Sequence, residues 1–255
     1  MKYFLDLVFN ENVKIYKRPR AWVLLSLIVA MNLFIAMVMK YIFSDTLFTF
    51  WDHLTVSTFV IFVLNFLCII IAGDIVSSEF STGTIKLILI RPASRLKILL
   101  TKYVSVLLFI VVVVSVHLLS SMIFGGIFFF NSIVALDPSL IMNIILRYGF
   151  GFIEIVVVCS LAMMLSVVTR SSVFSVSIPI FLLMSITLLL ELLAHYQIQV
   201  GKYILLANTN LTQHFLGRPL FEGMTLPFSV MNITVHMIVF FIVSTAIFSR
   251  RDVNI

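Results

Sequence analysis

The run YVSVLLFIVVVVSVHLLSSMIF, from Tyr103 to Phe124, contains no Asp, Glu, Lys or Arg and one imidazole, His117, and otherwise only apolar or hydroxyl side chains. Wound as an α-helix at 1.5 Å per residue, it reaches about 33 Å, the thickness of a bilayer's hydrocarbon core. Lys102 stands immediately before it. Five further windows share this character: Ala21 to Phe43, Thr55 to Ala72, Phe150 to Val168, Val173 to Ala194 and Phe228 to Phe248. The fold class predicted is therefore all-α and integral to a membrane, a single transmembrane domain of six helices over residues 1–255.

Composition agrees. Of 255 residues, 62% are hydrophobic and 11% charged, with a mean hydropathy of +1.19. A soluble domain carries about a quarter charged residues, so an ordinary cytosolic globule is excluded. The net charge of +6 comes from basic residues between apolar runs, where they act as orientation signals and meet lipid headgroups; nucleic acid is not an expected partner. Cys68 and Cys159 both sit inside apolar runs, so neither a disulfide framework nor a metal site is implied.

The first window follows Lys14, Lys17, Arg18 and Arg20, but it is longer than a signal-peptide core and no small-x-small cleavage site follows it, so it reads as a retained span. Six spans leave both termini on one side. Of the 17 Lys and Arg residues, 13 fall on that side and four, Lys40, Arg147, Lys202 and Arg218, on the other. Both termini are expected to be cytoplasmic.

Three segments flank the spans. In residues 1–20, Tyr3, Phe4, Leu7 and Val8 recur at helical spacing opposite Lys2, Asp6, Asn10 and Glu11; an interfacial amphipathic helix and a solvated basic flank are both compatible with so short a pattern. The outer segment, 195–227, holds the apolar stretch Tyr203 to Ala207, then Asn208 to Asn210 and several Gly and Pro residues. It reads as a re-entrant helical hairpin or as a plain loop.

The cytoplasmic connection, 73–102, carries the functional signal. Ser81, Thr82, Gly83 and Thr84 form a break, and Pro92 disfavours helix at Arg91, which isolates a short piece from Thr84 to Ile90. Ser94 is placed to cap the helix leading into the third span. The piece is nearly all apolar, so it lies on the inner leaflet or enters a partner's groove, with Glu79, Lys86, Arg91 and Arg95 as charged rims.

The order Glu79, Gly83, Thr84, Pro92, Ser94, Arg95 and Lys102 resembles the hallmark of the type-2 export permeases of ABC transporters, and the ending Phe248-Ser249-Arg250-Arg251-Asp252 is similar to theirs. The resemblance extends over the whole chain in topology. It implies a permease subunit of a bacterial cell-membrane exporter that pairs with a second copy or a homologous permease and with two cytoplasmic ABC ATPase subunits, which hold the ATP and Mg. It also implies a coupling helix in 73–102, with Glu79, Thr82, Gly83, Thr84, Lys86, Arg91 and Arg95 as coupling residues. Since neither Glu79 nor Arg95 is required to satisfy a span, alanine at either is expected to leave membrane insertion intact while uncoupling transport from ATP hydrolysis. The cargo implied is a peptide toxin or antimicrobial peptide, a drug or a lipid-like molecule. The second and fifth spans would line the path, with Asn65, Cys68, Phe174, Pro179, Phe181 and Met184 as candidates; Phe and Met in spans also serve as ordinary packing.

No nucleotide site is expected in the chain itself. Its Gly-Lys pair, Gly201-Lys202, lacks the glycine five positions earlier and the following Ser or Thr of a P-loop, and no HExxH or GxSxG is present. A non-catalytic transport subunit without a cofactor of its own is the expectation. A secondary transporter or channel would show internal repeats, which are not evident, and a membrane scaffold would not require the Glu79 to Arg95 pattern.

Ionisable groups at depth are functional candidates by default. His117 falls about 21 Å into the core, and Glu154 and His236 enter from the outer side. These three, with Asn232 one turn from His236, are expected either to form one buried polar cluster or to be satisfied separately.

Overall fold

The computed structural model describes residues 2–43, 48–84, 93–130, 138–217 and 219–250. Ten α-helices are present among them: α1 (Lys2–Lys17), α2 (Pro19–Met37), α3 (Phe50–Ser57), α4 (Val60–Ser81), α5 (Arg95–Phe128), α6 (Pro138–Thr169), α7 (Ser172–His195), α8 (Leu205–Thr209), α9 (Thr212–Phe215) and α10 (Leu226–Arg250). No strand occurs among the described residues. Six helical rods are long and apolar enough to cross a bilayer: α2 with its π-helical extension Val38–Ile42, α3 continued by α4, then α5, α6, α7 and α10. This is the all-helical, six-span architecture predicted.

Local chemistry explains the helix starts. Pro19 opens α2, where a missing N–H costs nothing. Thr49 and Asp52 form a reciprocal capping box at α3. Ser94 accepts the Lys97 N–H at 3.4 Å and caps α5, as its position predicts. At the end of α4, Gly83 takes φ +71°, the left-handed conformation that terminates a helix most easily when no Cβ is present. Several rods overrun the hydropathy windows; α5 and α6 have 34 and 32 residues, about 50 Å, so the windows mark only their apolar middles.

Rods α4 and α6 are the most enclosed, while α2, α7 and α10 keep broad apolar outer faces. The core threads α1, α2, α4, α5 and α6 through Ile15, Ile28, Leu64, Leu99, Phe109 and Ile155. Two close approaches set the spacing. A Cβ at Gly73 would stand 2.9 Å from the Ser175 carbonyl oxygen, so α4 and α7 touch there; one at Gly151 would stand 2.6 Å from Ile61 Cγ2, joining α6 to α4.

The segment between α7 and α10 folds back on the bundle. A 3₁₀ turn, Gln199–Tyr203, leads into α8 and α9, and Leu205 and Leu211 pack with Val157, Ile233 and Phe240. The fully buried Asn208 donates to the Lys202 and Ile204 carbonyls at 2.8 and 2.9 Å and accepts from Ser229 Oγ at 2.8 Å. A plain exposed loop would not satisfy its backbone in this way.

Candidate functional site

Helix α1 does form. Its buried edge is Leu7, Val8 and Ile15, with Tyr3, Leu5 and Phe9 exposed. Asn12 Nδ2 donates to Ser105 Oγ on α5 at 3.3 Å, and Ser105 Oγ donates to the Val8 carbonyl at 3.5 Å. The helix is therefore fastened to the bundle by specific contacts, and the loose-flank reading falls away.

The strongest fastening is ionic. Lys102, fully buried on α5, places its ammonium 2.9 Å from Glu11 Oε2, 2.7 Å from Glu79 Oε2 and 3.0 Å from the Ile75 carbonyl. Lys14 then reaches Glu79 Oε1 at 3.0 Å and also pairs with Glu11. Two acids and two bases alternate in a closed ring whose members come from α1, α4 and α5. Burial raises the Glu11 carboxyl's pKa, but Lys102 and Lys14 outweigh it and hold the group below 4.5. Burial lowers the Lys14 ammonium's pKa, but Glu79 and Glu11 outweigh that and hold it above 10.5. A buried lysine is tolerated only with such compensation.

A second cluster lies one turn away. Asp74 accepts from Arg18 Nη1 at 2.8 Å, from Arg20, and from Ser172 Oγ at 2.6 Å. It thereby joins the α1–α2 corner to the first residue of α7. Around it the Ser77 N–H donates to Ser166 Oγ at 2.9 Å, Ser77 and Ser172 hydroxyls lie 2.9 Å apart, and Ser175 Oγ donates to the Gly73 carbonyl at 2.6 Å. The ring and the Asp74 cluster make the α1 end of the bundle one electrostatically braced block directly before residues 85–92.

This geometry corrects two expectations about the motif. Glu79 is 5% exposed and occupied on both oxygens by lysines, so it braces the bundle and is not a free rim. Arg95 Nη1 donates to the Ser249 carbonyl at 2.9 Å, closing the last turn of α10; it too is engaged within the chain. Glu11, assigned to the solvated side of α1, is drawn inward by Lys102. Thr82, Gly83 and Thr84 are exposed, with the Thr82 and Thr84 hydroxyls 2.9 Å apart. Lys86, Arg91 and the rest of the apolar piece from Ile85 to Pro92 lie outside the described residues.

The intramembrane polar residues find separate partners. Glu154 accepts from Asn65 Nδ2 at 3.2 Å, His117 Nδ1 accepts from Asn32 Nδ2 at 3.0 Å, and His236 Nδ1 bonds its own helix at the Asn232 carbonyl, 2.9 Å away. Asn232 Nδ2 donates to the Tyr203 carbonyl at 3.1 Å. The shared cluster is thus absent among the described residues, because similar depth does not give helices the same facing direction. His117 instead belongs with Asn32, with Tyr148, on which it stacks at 5.4 Å, and with the buried His53 of α3, which fits because Gly125 has no Cβ. Asn32 and His53 were legible only as polar residues in or beside apolar runs.

Nor do the path candidates meet. Asn65, Cys68 and Pro179 are buried within the chain, whereas Phe174, Phe181 and Met184 project from the outer face of α7. Phe181 and Met184 instead border a shallow apolar groove with Ile70 and Val176, about 650 Å³, ending at Asp74 and Arg20.

Comparison with known proteins places this architecture. The chain is 34% identical over 223 residues to the uncharacterized protein YhcI of Bacillus subtilis (strain 168), covering 82% of this chain and 71% of that one. It is 30% identical over 246 residues to the uncharacterized membrane protein YdbK of the same organism, covering 95% and 100%. A family profile described as protein of unknown function DUF2705 matches residues 21–254. The chain is a six-span membrane protein and belongs to the DUF2705 family.

Proposed function

We propose that this chain is the membrane-spanning, non-catalytic permease subunit of an ATP-driven ABC exporter for amphipathic or hydrophobic cargo such as a peptide, drug or lipid-like molecule. It acts in the bacterial cell membrane with both termini cytoplasmic, beside a second permease copy, and ATP and Mg reside on two separate ATPase subunits. The observation that supports the reading most is the Glu11–Lys102–Glu79–Lys14 ring. It joins the two helix ends that flank the 85–92 connection to each other and to α1. A docking element can transmit a push to the spans only if its base is stiff, and a buried, mutually compensated ion-pair ring supplies that stiffness. The motif order from Glu79 to Lys102 and the six-span topology add to it.

The test is affinity capture of the full chain from its native membrane, with ATPase activity and mass of the captured partner as readouts. Wild type is expected to bring down an ABC ATPase. The Lys86→Glu, Arg91→Glu double variant is expected to lose it while retaining wild-type thermal stability. Wild-type capture without an ATPase would overturn the proposal and leave a carrier or scaffold role.

A further inference from the structure

At the end of the bundle away from α1, an open cleft of about 290 Å³ lies between the α3–α4 turn, α6, α7 and the α8–α9 segment. Glu154 lines it. Its carboxylate accepts from Asn65 Nδ2 at 3.2 Å and, among the described residues, meets no Lys, Arg or His at ion-pairing distance. Arg147, on the same helix and cleft wall, lies seven residues earlier, about 10 Å along the axis. Its guanidinium rests 5.8 Å from the centre of the Phe59 ring. Phe62 and Phe150 complete an aromatic lining.

We infer that this cleft is a binding site for a zwitterionic ligand, with an ammonium group against Glu154 and an anionic group, phosphate or carboxylate, against Arg147. A carboxylate within a span is costly unless it has water or a counter-charge, and such residues mark ligand or ion sites by default. Asn65 orients one oxygen, since its amide is itself fully buried, and the cleft gives a ligand access to the carboxylate. Aromatic faces favour an organic ammonium over a bare metal ion. The cleft is at the lower limit of ligand pockets, about 300 Å³, so it holds a headgroup or one amino-acid residue and leaves any longer tail outside. A lipid headgroup and a small soluble zwitterion share this chemistry. Binding requires no ATPase, so the inference stands apart from the proposed export function.

The experiment is calorimetric titration of the full chain in nanodiscs of phosphatidylglycerol with phosphoethanolamine, ethylammonium and inorganic phosphate as probes. Phosphoethanolamine is expected to bind one-to-one and more tightly than either fragment. Glu154→Gln, which keeps the side-chain size, should weaken it about tenfold or more. Arg147→Gln should weaken phosphoethanolamine but leave ethylammonium unchanged. Thermal melts identify any variant that has lost its fold, and for such a variant competition by ethylammonium on wild type replaces it as the readout. If phosphatidylethanolamine added to the nanodiscs displaces the probe, the ligand is a lipid headgroup; if it does not, the ligand is a soluble zwitterion. No binding of phosphoethanolamine to wild type, or equal binding by folded Glu154→Gln, would overturn the inference.

Discussion

Lys102 and Glu79 lie 2.7 Å apart, one at the start of the third span and the other at the end of the second, with Lys102 fully buried. The pair closes the base of the connection between those spans from inside the fold. It also binds α1, through Glu11 and Lys14, to the same two rods. Replacing Lys102 with Met removes the buried cation between the two carboxylates and leaves the half-exposed Lys14 to serve both. Breaking a buried pair in this way costs about 3–5 kcal/mol, so Lys102→Met should lower the unfolding temperature in detergent markedly. The triple change Lys102→Met, Glu79→Gln, Glu11→Gln should recover much of it. An unchanged melting temperature in the single variant would show that the ring contributes no stability.

The ring also predicts how α1 responds to pH. Glu11 titrates below its ordinary value in the folded chain, so its contribution is complete above about pH 4.5 and is lost as pH falls through the lowered value. Lys14 titrates above its ordinary value, so its contribution is complete below about pH 10.5 and is lost as pH rises through the raised value. Between these limits α1 should stay docked. Hydrogen exchange of the α1 amides should be slow and nearly constant from pH 6 to 9 after correction for intrinsic rates, and protection should fall as pH drops below about 4.5. Protection that is equal at pH 4 and pH 7 would contradict the assignment.

How much of this was legible in the sequence differs by feature. The six rods were readable because a span is a matter of length and apolarity, which a linear window captures. The caps at Ser94 and Gly83 were readable because capping is local. The order Glu79, Arg95, Lys102 was also visible, but its geometry was not. Glu79 and Lys102 pair because α4 and α5 lie side by side, and Glu11 joins them only because α1 turns back under the bundle. Glu154 and His117 failed to meet for the converse reason: depth follows from residue count, whereas the direction a side chain faces follows from helix packing. Asp74, sitting in an apolar run five residues before Glu79, carried a signal that only the α1–α2 corner and Ser172 make interpretable.

Close contact between α4 and α7 depends on Gly73. A Cβ there would press on Ser175 backbone at 2.9 Å and Val176 Cγ2 at 2.8 Å. Since the carbonyl cannot rotate away, Gly73→Val should force the helices apart and cost about 1–3 kcal/mol. It should also loosen the Ser175 bond to the Gly73 carbonyl. Thermal unfolding measures the cost, and a Gly73→Val chain as stable as wild type would mean that α7 yields freely.

The separate partners of the buried polar groups make a double-mutant prediction. Asn32 and His117 share a bond of 3.0 Å and are both fully buried, so Asn32→Leu strands an imidazole nitrogen and should destabilise by about 1–3 kcal/mol. Once His117→Leu is present, Asn32→Leu should cost much less, because the partner to be stranded is gone. Glu154→Gln and His117→Leu share no bond, and their effects should add within about 0.5 kcal/mol. Strong coupling between Glu154 and His117 would mean that the two groups communicate through a contact other than the Asn65 and Asn32 bonds. Additivity there, with coupling between Asn32 and His117, establishes two independent polar sites in the membrane and frees Glu154 to serve the cleft it faces.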